Sequence, residues 1–142
     1  MHLSMKSIEE QQARILDELG LFQDWTERYE YVISLGKSLP AIQDDKKTED
    51  HLIKGCQSQV WLDASGSAEQ IQFFADSDST IVKGLIALFV RVFDGQPADE
   101  ILKSDMTFIE KTGLKEHLAP TRANALSLML AEMKKYALNL SK

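Results

Sequence analysis

The chain has 142 residues and a net charge of −6, because 16 lysines and arginines stand against 22 aspartates and glutamates. This length predicts a single domain, spanning residues 1–142, whose core needs no metal or cross-link. The acidic balance and the lack of a basic run argue against binding to a nucleic-acid backbone, so we expect a protein or small-molecule partner.

The first ten residues, MHLSMKSIEE, lack the basic start and the apolar run of a signal peptide. No later stretch is long enough and apolar enough to span a bilayer. We therefore expect a cytoplasmic protein that does not use a membrane. Residues 1–6 precede the first helix signal, and we expect them to be poorly ordered.

Two amphipathic helices are predicted at the start of the chain. The run Ser7-Ile8-Glu9-Glu10 fits a capping box, and apolar residues then recur on one helical face until Gly20 ends the helix. A second helix begins near Trp25 with the same period. Gly36 is placed to end it, just before Leu39-Pro40 breaks the chain direction.

A charged segment and a small sheet follow. Residues 43–50 (QDDKKTED) have no apolar period and predict a solvated connection. Beyond them the period changes to two, which predicts three short strands at 51–53, 59–64 and 70–75. Ser65-Gly66-Ser67 is a hairpin turn signal, so the last two strands are expected to be antiparallel. The fold class is therefore α+β, with a small three-stranded antiparallel sheet packed against several helices.

The second half of the chain predicts helices only. Ser77-Asp78-Ser79 supplies a cap and negative charge before Thr80–Phe93, whose apolar stripe is wide enough for a central helix. Residues 98–102 and 108–111 predict short helical turns. The last helix begins at Pro120, which is favoured at a first helical position, and runs to about Leu140.

Cys56 is the only cysteine, so it cannot form an internal disulfide or a CxxC pair, and a zinc site here would lack three sulfur ligands. Free cysteines are usually small buried hydrophobes. This one lies between Gly55 and the polar run Gln57-Ser58-Gln59, outside both flanking strands. The surroundings favour a reactive thiolate on a loop as much as a buried thiol. Activation would require nearby cations or converging loop amides.

The sequence offers two cations for that purpose, Lys54 and Arg122, although a solvated lysine is the simpler interpretation of Lys54. His51 and His117 are weak candidates for a general base, because nothing in the sequence orients either of them toward Cys56. Four other residues are interpreted as structural, two as helix-start carboxylates and two as core indoles: Asp76, Asp78, Trp25 and Trp61.

Four blocks of the sequence together resemble the SufE-like sulfur-acceptor family of iron-sulfur cluster assembly. In the family's order they are LGKSLP at 35–40, GCQSQVW at 55–61, SDSTIVKGL at 77–85 and LAPTRAN at 118–124. The GCQSQVW block is highly specific, whereas LGKSLP alone would be weak. The resemblance extends from about Glu9 to Leu140.

This resemblance implies an α+β fold similar to that of the cluster scaffold IscU. It also implies that Cys56 accepts a sulfane sulfur from a pyridoxal-phosphate cysteine desulfurase of the SufS type and passes it to a SufBCD-type scaffold. Gly55, Gln57 and Ser58 would support the thiol, and Arg122 matches the arginine of the last block. The chain would stimulate the desulfurase as a monomer or homodimer, without a cofactor or metal of its own, and not as a stand-alone enzyme.

The sequence departs from the family at Ala119, where serine or threonine is expected, and at Ala125, where glycine is expected. Losing the hydroxyl at position 119 removes a helix cap, a loss of about 1 kcal/mol, while Pro120 still favours the same helix start. We expect these changes to affect the packing of the last helix and not to touch the thiol.

Three other functions stay open on the sequence alone. The chain could belong to the related CsdE-type branch, which serves a different desulfurase. It could be a noncatalytic activator that opens a desulfurase without carrying sulfur. It could also be a one-cysteine thiol peroxidase, which needs a base or an arginine close to the sulfur, and for this the sequence offers only Arg122.

Overall fold

The computed structural model describes residues 7–142. The prediction that residues 1–6 are poorly ordered lies outside these described residues. The elements, in chain order, are α1 (Ile8–Gly20), α2 (Trp25–Lys37), two short 3₁₀ turns (Asp44–Lys46 and Glu49–His51), β1 (Val60–Ser67), β2 (Gln70–Ser77), α3 (Thr80–Phe93), α4 (Ala98–Lys103), α5 (Thr107–Thr112), α6 (Leu114–His117) and α7 (Pro120–Leu140). None of the helices in residues 7–142 has the length and apolarity needed to cross a membrane.

Helix α3 is the centre of the fold. Ten of its 14 residues are buried, and it contacts α1, α2, β2 and α7. The Ser79 hydroxyl caps it by accepting a hydrogen bond from the Val82 amide at 3.4 Å. Fully burying one large apolar side chain contributes about 1.5–3 kcal/mol, so α3 supplies a large share of the folding free energy. The prediction of a central helix over Thr80–Phe93 is confirmed.

Helices α2 and α3 approach each other closely at two glycines. A Cβ on Gly84 would overlap the carbonyl oxygen of Val32, and a Cβ on Gly36 would lie 3.2 Å from the Gly84 amide nitrogen. The predicted end of α2 at Gly36 lies one residue before the observed end at Lys37, and Gly36 itself is buried in this interface. Glycine is needed here for backbone contact and not for a helix stop.

Helix α1 is attached to the next helices by a polar cluster. Arg91 on α3 donates two hydrogen bonds to the Glu18 carboxylate, at 2.6 and 2.8 Å, and the Tyr31 hydroxyl donates a third at 2.7 Å. The hydrogen bonds from Arg91 hold the pKa of Glu18 at about 2, against the opposing effect of burial. At the other end of α1, Ser7 and Glu10 form the predicted capping box.

The sheet has two strands in the part of the chain that the structure describes, not the three predicted. Strands β1 and β2 form an antiparallel hairpin in which Val60 pairs with Ser77. The predicted strand at 51–53 is reduced to a single bridge between Leu52 and Trp61. Pairing cannot continue because the chain turns away at Gly55, two residues after the Ile53 amide bonds the Val60 carbonyl.

The hairpin turn also lies later than predicted. Ser65-Gly66-Ser67 belongs to β1, and the chain reverses at Ala68 and Glu69. Gly66 has a φ of +111°, and a Cβ there would overlap the carbonyl oxygen of Gln70. Gly66 is therefore needed where the backbones of the paired strands approach closely. Glycine is favoured both at such a contact and in a turn, so the sequence signal is the same.

The charged segment 43–50, together with His51 directly after it, is ordered along the outer face of this hairpin. Lys47 pairs with Asp76 at 2.6 Å, while Lys46 and His51 approach Asp63 at 3.9 and 3.6 Å. Ion pairs between partly exposed groups contribute little each, about 0–1 kcal/mol. Together they fix the course of the chain that leads into the cysteine loop.

Gly84→Ala is expected to destabilise the protein by about 1–3 kcal/mol, which is the usual range for overpacking a rigid contact. This outweighs the roughly 1 kcal/mol that alanine gains over glycine inside a helix. Urea unfolding followed by circular dichroism measures the change. Gly20→Ala is the matched control, because a Cβ there meets nothing within 4 Å. Equal effects at both positions would contradict the close approach.

Glu18→Gln is expected to lower the free energy of unfolding at neutral pH. The folded pKa of about 2 lies below the ordinary value of 4.5, so the carboxylate contributes stability above 4.5 and loses it as the pH falls toward 2. The difference between wild type and variant should shrink over that window. Unfolding measured across the pH range tests this, with the exposed neighbour Asp17→Asn as control. A difference that does not change with pH contradicts the assignment.

Candidate functional site

Cys56 lies on the loop between the second 3₁₀ turn and β1. Gly55, directly before it, has a φ of +91°, a conformation that favours glycine. A Cβ on Gly55 would lie 3.2 Å from the Leu128 side chain, so this turn also rests against α7. Cys56 itself is half-buried and packs against the core. The loop therefore holds the thiol against the body of the protein.

The thiol shares a cavity of about 280 Å³ with residues from three separate parts of the chain. The lining comes from the loop, from α3 and from the first turns of α7: Cys56, Gln57, Ser58, Val82, Ala119, Thr121, Arg122 and Ala125. Of the residues that the sequence singles out, Gln57, Ser58 and Arg122 are thus brought together with the thiol. A larger groove of about 620 Å³, between α1 and the α4–α5 region, contains none of them.

Burial raises the pKa of the Cys56 thiol above its ordinary value. The thiol is therefore protonated at neutral pH in this conformation. Lys54, one of the two cations considered from the sequence, is exposed and bonds Glu49 at 2.5 Å, so it is engaged away from the thiol. Arg122 is the cation that lines the cavity.

The downstream end of the loop is fastened to the start of α3. The Asp78 carboxylate accepts a hydrogen bond from the Gln59 amide at 3.0 Å, and the Ser77 hydroxyl donates to the Gln59 carbonyl at 2.7 Å. The Asp78 amide donates to the same carbonyl at 3.2 Å. Asp78 therefore hydrogen-bonds the end of the cysteine loop and also precedes the first turn of α3. Sequence reasoning missed this role, since only the pairing of Val60 with Ser77 brings the two segments together.

Asp76 joins the same region to its surroundings. It pairs with Lys47 at 2.6 Å and with Lys83 of α3 at 3.3 Å. Burial alone would raise the pKa of Asp76, but hydrogen bonds from Lys47, the Ser77 amide and Lys83 keep it below the ordinary value. Asp76 is thus an ionised bridge between the charged segment, β2 and α3, and it does not line the cavity.

Neither histidine is placed as a base for Cys56. His51 Nε2 lies 3.6 Å from an Asp63 carboxylate oxygen, and the ring of His117 stacks on Trp25 with centroids 3.7 Å apart. The two histidines are absent from the cavity lining. No group of three or more metal-ligating side chains occurs among residues 7–142.

The two indoles predicted for the core behave differently. Trp25 is partly buried and packs against the core cluster. Trp61 is half-buried on β1, and Lys47 Nζ lies 5.8 Å from the centre of its ring. Its neighbour is thus a charged side chain on the outer face of the hairpin.

The two positions that depart from the family, Ala119 and Ala125, are close to the surroundings of the thiol as well as part of the last helix. Both line the cavity that contains Cys56. Ala119 precedes α7 without any side-chain cap, as the missing hydroxyl predicts, and Ala125 is buried on the next turn. Ala119 and Ala125 can both pack the helix and line the cavity, because the start of α7 forms one wall of that cavity.

Comparison with known proteins gives consistent results. Residues 13–137 match the family model described as "SufE: Fe-S metabolism associated domain". An uncharacterized SufE-like protein of Rhizobium meliloti (strain 1021) is 40% identical over 129 residues, covering 87% of this chain and 92% of that protein. An uncharacterized SufE-like protein of Rhizobium etli is also 40% identical over 129 residues, covering 87% of each.

A solved structure shares the fold. The solution structure of a hypothetical protein from Thermus thermophilus superposes with a TM-score of 0.76, covering 92% of this chain and 95% of that one. The two sequences are only 15% identical. The likeness therefore bears on architecture alone, and it agrees with the α+β class predicted from the sequence.

Asp78→Ala is expected to make Cys56 react about fivefold faster with iodoacetamide, because losing one hydrogen bond at the base of the loop favours its local opening. The rate is followed by intact mass. Asp105→Ala is the matched control, since the Asp105 carboxylate likewise accepts a backbone amide, that of Thr107 at 2.9 Å, outside the cavity. An unchanged rate in Asp78→Ala would show that this hydrogen bond does not restrain the loop.

Proposed function

The chain belongs to the SufE family, which associates it with Fe-S metabolism, and from this premise we propose that it is a sulfur carrier. In this proposal Cys56 accepts the persulfide sulfur of a SufS-like cysteine desulfurase, and the protein stimulates that enzyme. It then passes the sulfur to a SufBCD-type scaffold. Pyridoxal phosphate belongs to the desulfurase and not to this chain.

The observation that carries the proposal is the position of Cys56, at the wall of a cavity built by its own loop and by the start of α7. The cavity, at about 280 Å³, offers far more room than one added sulfur atom needs. A persulfide on Cys56 has space to stay within the protein. The half-buried position of Cys56 would hinder the small thiols that could otherwise remove the outer sulfur.

The chemistry is a thiol exchange between two cysteines. The Cys56 thiolate attacks the outer sulfur of the persulfide on the desulfurase cysteine. A new sulfur-sulfur bond forms at Cys56 as the donor's bond breaks, and the electron pair leaves with the donor sulfur, which takes up a proton. The outer sulfur changes carrier without an external oxidant or reductant.

This attack requires a change in the state of Cys56. Burial raises the pKa of the thiol, so the nucleophilic thiolate is scarce in the free protein. Docking on the desulfurase would move residues 56–58 outward, between the turn at Gly55 and the hydrogen-bonded Gln59. A mobile segment between two fixed points is typical of gating loops.

Arg122 is the residue of the cavity suited to electrostatic help. A guanidinium stays charged at every physiological pH, and a nearby cation favours an anionic sulfur over the neutral thiol. Gln57 and Ser58 contribute polar side chains to the same wall. A CsdE-type desulfurase would place the same demands on this site, and a titration of both desulfurases with the protein separates the two branches.

Incubation with desulfurase and L-cysteine is expected to add one sulfur atom to the protein, detected by intact mass and assigned to Cys56 by peptide mapping. Cys56→Ser should neither gain sulfur nor stimulate the desulfurase. A Cys56→Ser protein that still stimulates the enzyme would favour the noncatalytic activator instead.

The specificity of the site needs a second variant. Cys56→Ser combined with Ser65→Cys moves the single thiol to an exposed position on β1. This protein is expected to gain no sulfur, because the new thiol lacks the loop and cavity. Equal loading of both proteins would mean that any exposed thiol reacts, and the proposal would fail.

A further inference from the structure

Helix α7 begins without a side-chain cap. Ala119 stands at the cap position, and no side chain there accepts a hydrogen bond from the first turn. The same first turn carries Thr121 and Arg122 to the cavity. The position of this first turn is therefore not fixed by a capping hydroxyl. The residues just before Ala119 make other contacts that can fix it.

Those residues are held by α2. The imidazole of His117 stacks on the indole of Trp25, with centroids 3.7 Å apart and ring planes 19° from parallel. The Tyr29 hydroxyl donates a hydrogen bond to the backbone carbonyl of His117. The His117 ring also bonds the Gly113 carbonyl through Nδ1 at 3.0 Å. We name Trp25, Tyr29 and His117 the α2 anchor.

Other contacts keep the anchor rigid. Gly113 has a φ of +74°, and a Cβ there would lie 3.2 Å from the Trp25 ring, so the chain turns directly against the indole. The Arg28 guanidinium lies 5.0 Å from the centre of the same ring and donates two hydrogen bonds to the Phe22 carbonyl. The indole is thus held in place from several directions.

A short path of backbone leads from the anchor to the cavity. Only Leu118 separates His117 from Ala119, whose carbonyl accepts the amides of Arg122 at 3.0 Å and Ala123 at 2.9 Å. A shift of His117 would therefore displace the turn that carries Arg122. His117 itself is exposed, whereas Trp25 and Tyr29 are partly buried and pack against the core cluster.

We propose that the α2 anchor positions Arg122 for sulfur transfer to Cys56. The inference rests on the proposed function. Trp25, Tyr29 and His117 are positioning residues and not catalytic ones, because none of them lines the cavity. Through their contacts at His117 they hold the start of α7, which a capping hydroxyl at position 119 would otherwise hold.

Tyr29→Phe tests the anchor, because it removes one hydroxyl and leaves the ring. With desulfurase in excess, the rate of sulfur gain at Cys56 is expected to fall about fivefold, the effect of one lost hydrogen bond on the geometry of the transfer. In an Arg122→Ala background, already slower, Tyr29→Phe should cause no further loss. This non-additivity is what coupled residues show and independent ones do not.

Tyr31→Phe is the matched control. It removes a hydroxyl from the same helix two residues away, but that hydroxyl bonds Glu18 on the α1 side. The variant is expected to lower the unfolding temperature without changing the rate of sulfur gain. If Tyr29→Phe and Arg122→Ala reduce the rate independently, or if Tyr29→Phe has no effect, the inference is overturned.

Hydrogen exchange separates this inference from the proposed function. In Tyr29→Phe, the amides of residues 121–125 are expected to exchange about fivefold faster, whereas those in the middle of α7 keep their rates. Wild-type protein that gains no sulfur refutes the carrier function, and the exchange data still decide whether the anchor exists. Unchanged exchange at 121–125 overturns the anchor even if sulfur transfer is normal.

Discussion

The burial of helix α3 is the constraint on which the position of the thiol depends. Because α3 is enclosed by helices and by β2, the position of its first turn is set by this packing. Ser77 and Asp78 directly precede that turn and fasten Gln59, and Val82 forms part of the cavity wall. The loop that carries Cys56 is therefore aligned by the extensively buried helix α3, although the loop itself has little regular structure.

The four sequence blocks that resemble the family acquire separate physical meanings in this arrangement. LGKSLP contains Gly36, which lets α2 pack closely against α3. The block ends at Pro40, whose carbonyl accepts a hydrogen bond from the Ala75 amide of β2 at 3.1 Å. SDSTIVKGL combines the loop fastening with the close approach at Gly84. LAPTRAN forms the opposite wall of the cavity. Two of the other three blocks thus build the surroundings of the thiol, whereas LGKSLP packs against α3 and β2.

The sequence predicted the helices well because their signals are local. The capping box at Ser7, the cap at Ser79 and the proline at Pro120 each mark a boundary that the structure reproduces. The prediction of a third strand was wrong because a single bridged pair and a true strand show the same two-residue alternation in the sequence. The cavity could not be derived from spacing, since Cys56 and Arg122 lie far apart in the chain. Only the packing of α7 against the loop brings them together.

The half-buried thiol has a consequence for the chemistry of the resting protein. Peroxide oxidises the thiolate and reacts slowly with the neutral thiol. Because burial raises the pKa of Cys56, the free protein resists conversion to a sulfenic acid, and a peroxidase role is disfavoured for the same reason. A half-buried, protonated cysteine therefore keeps its free thiol when the surroundings turn oxidising. If the protein carries sulfur as proposed, the same burial would protect Cys56 before it is loaded as well as after.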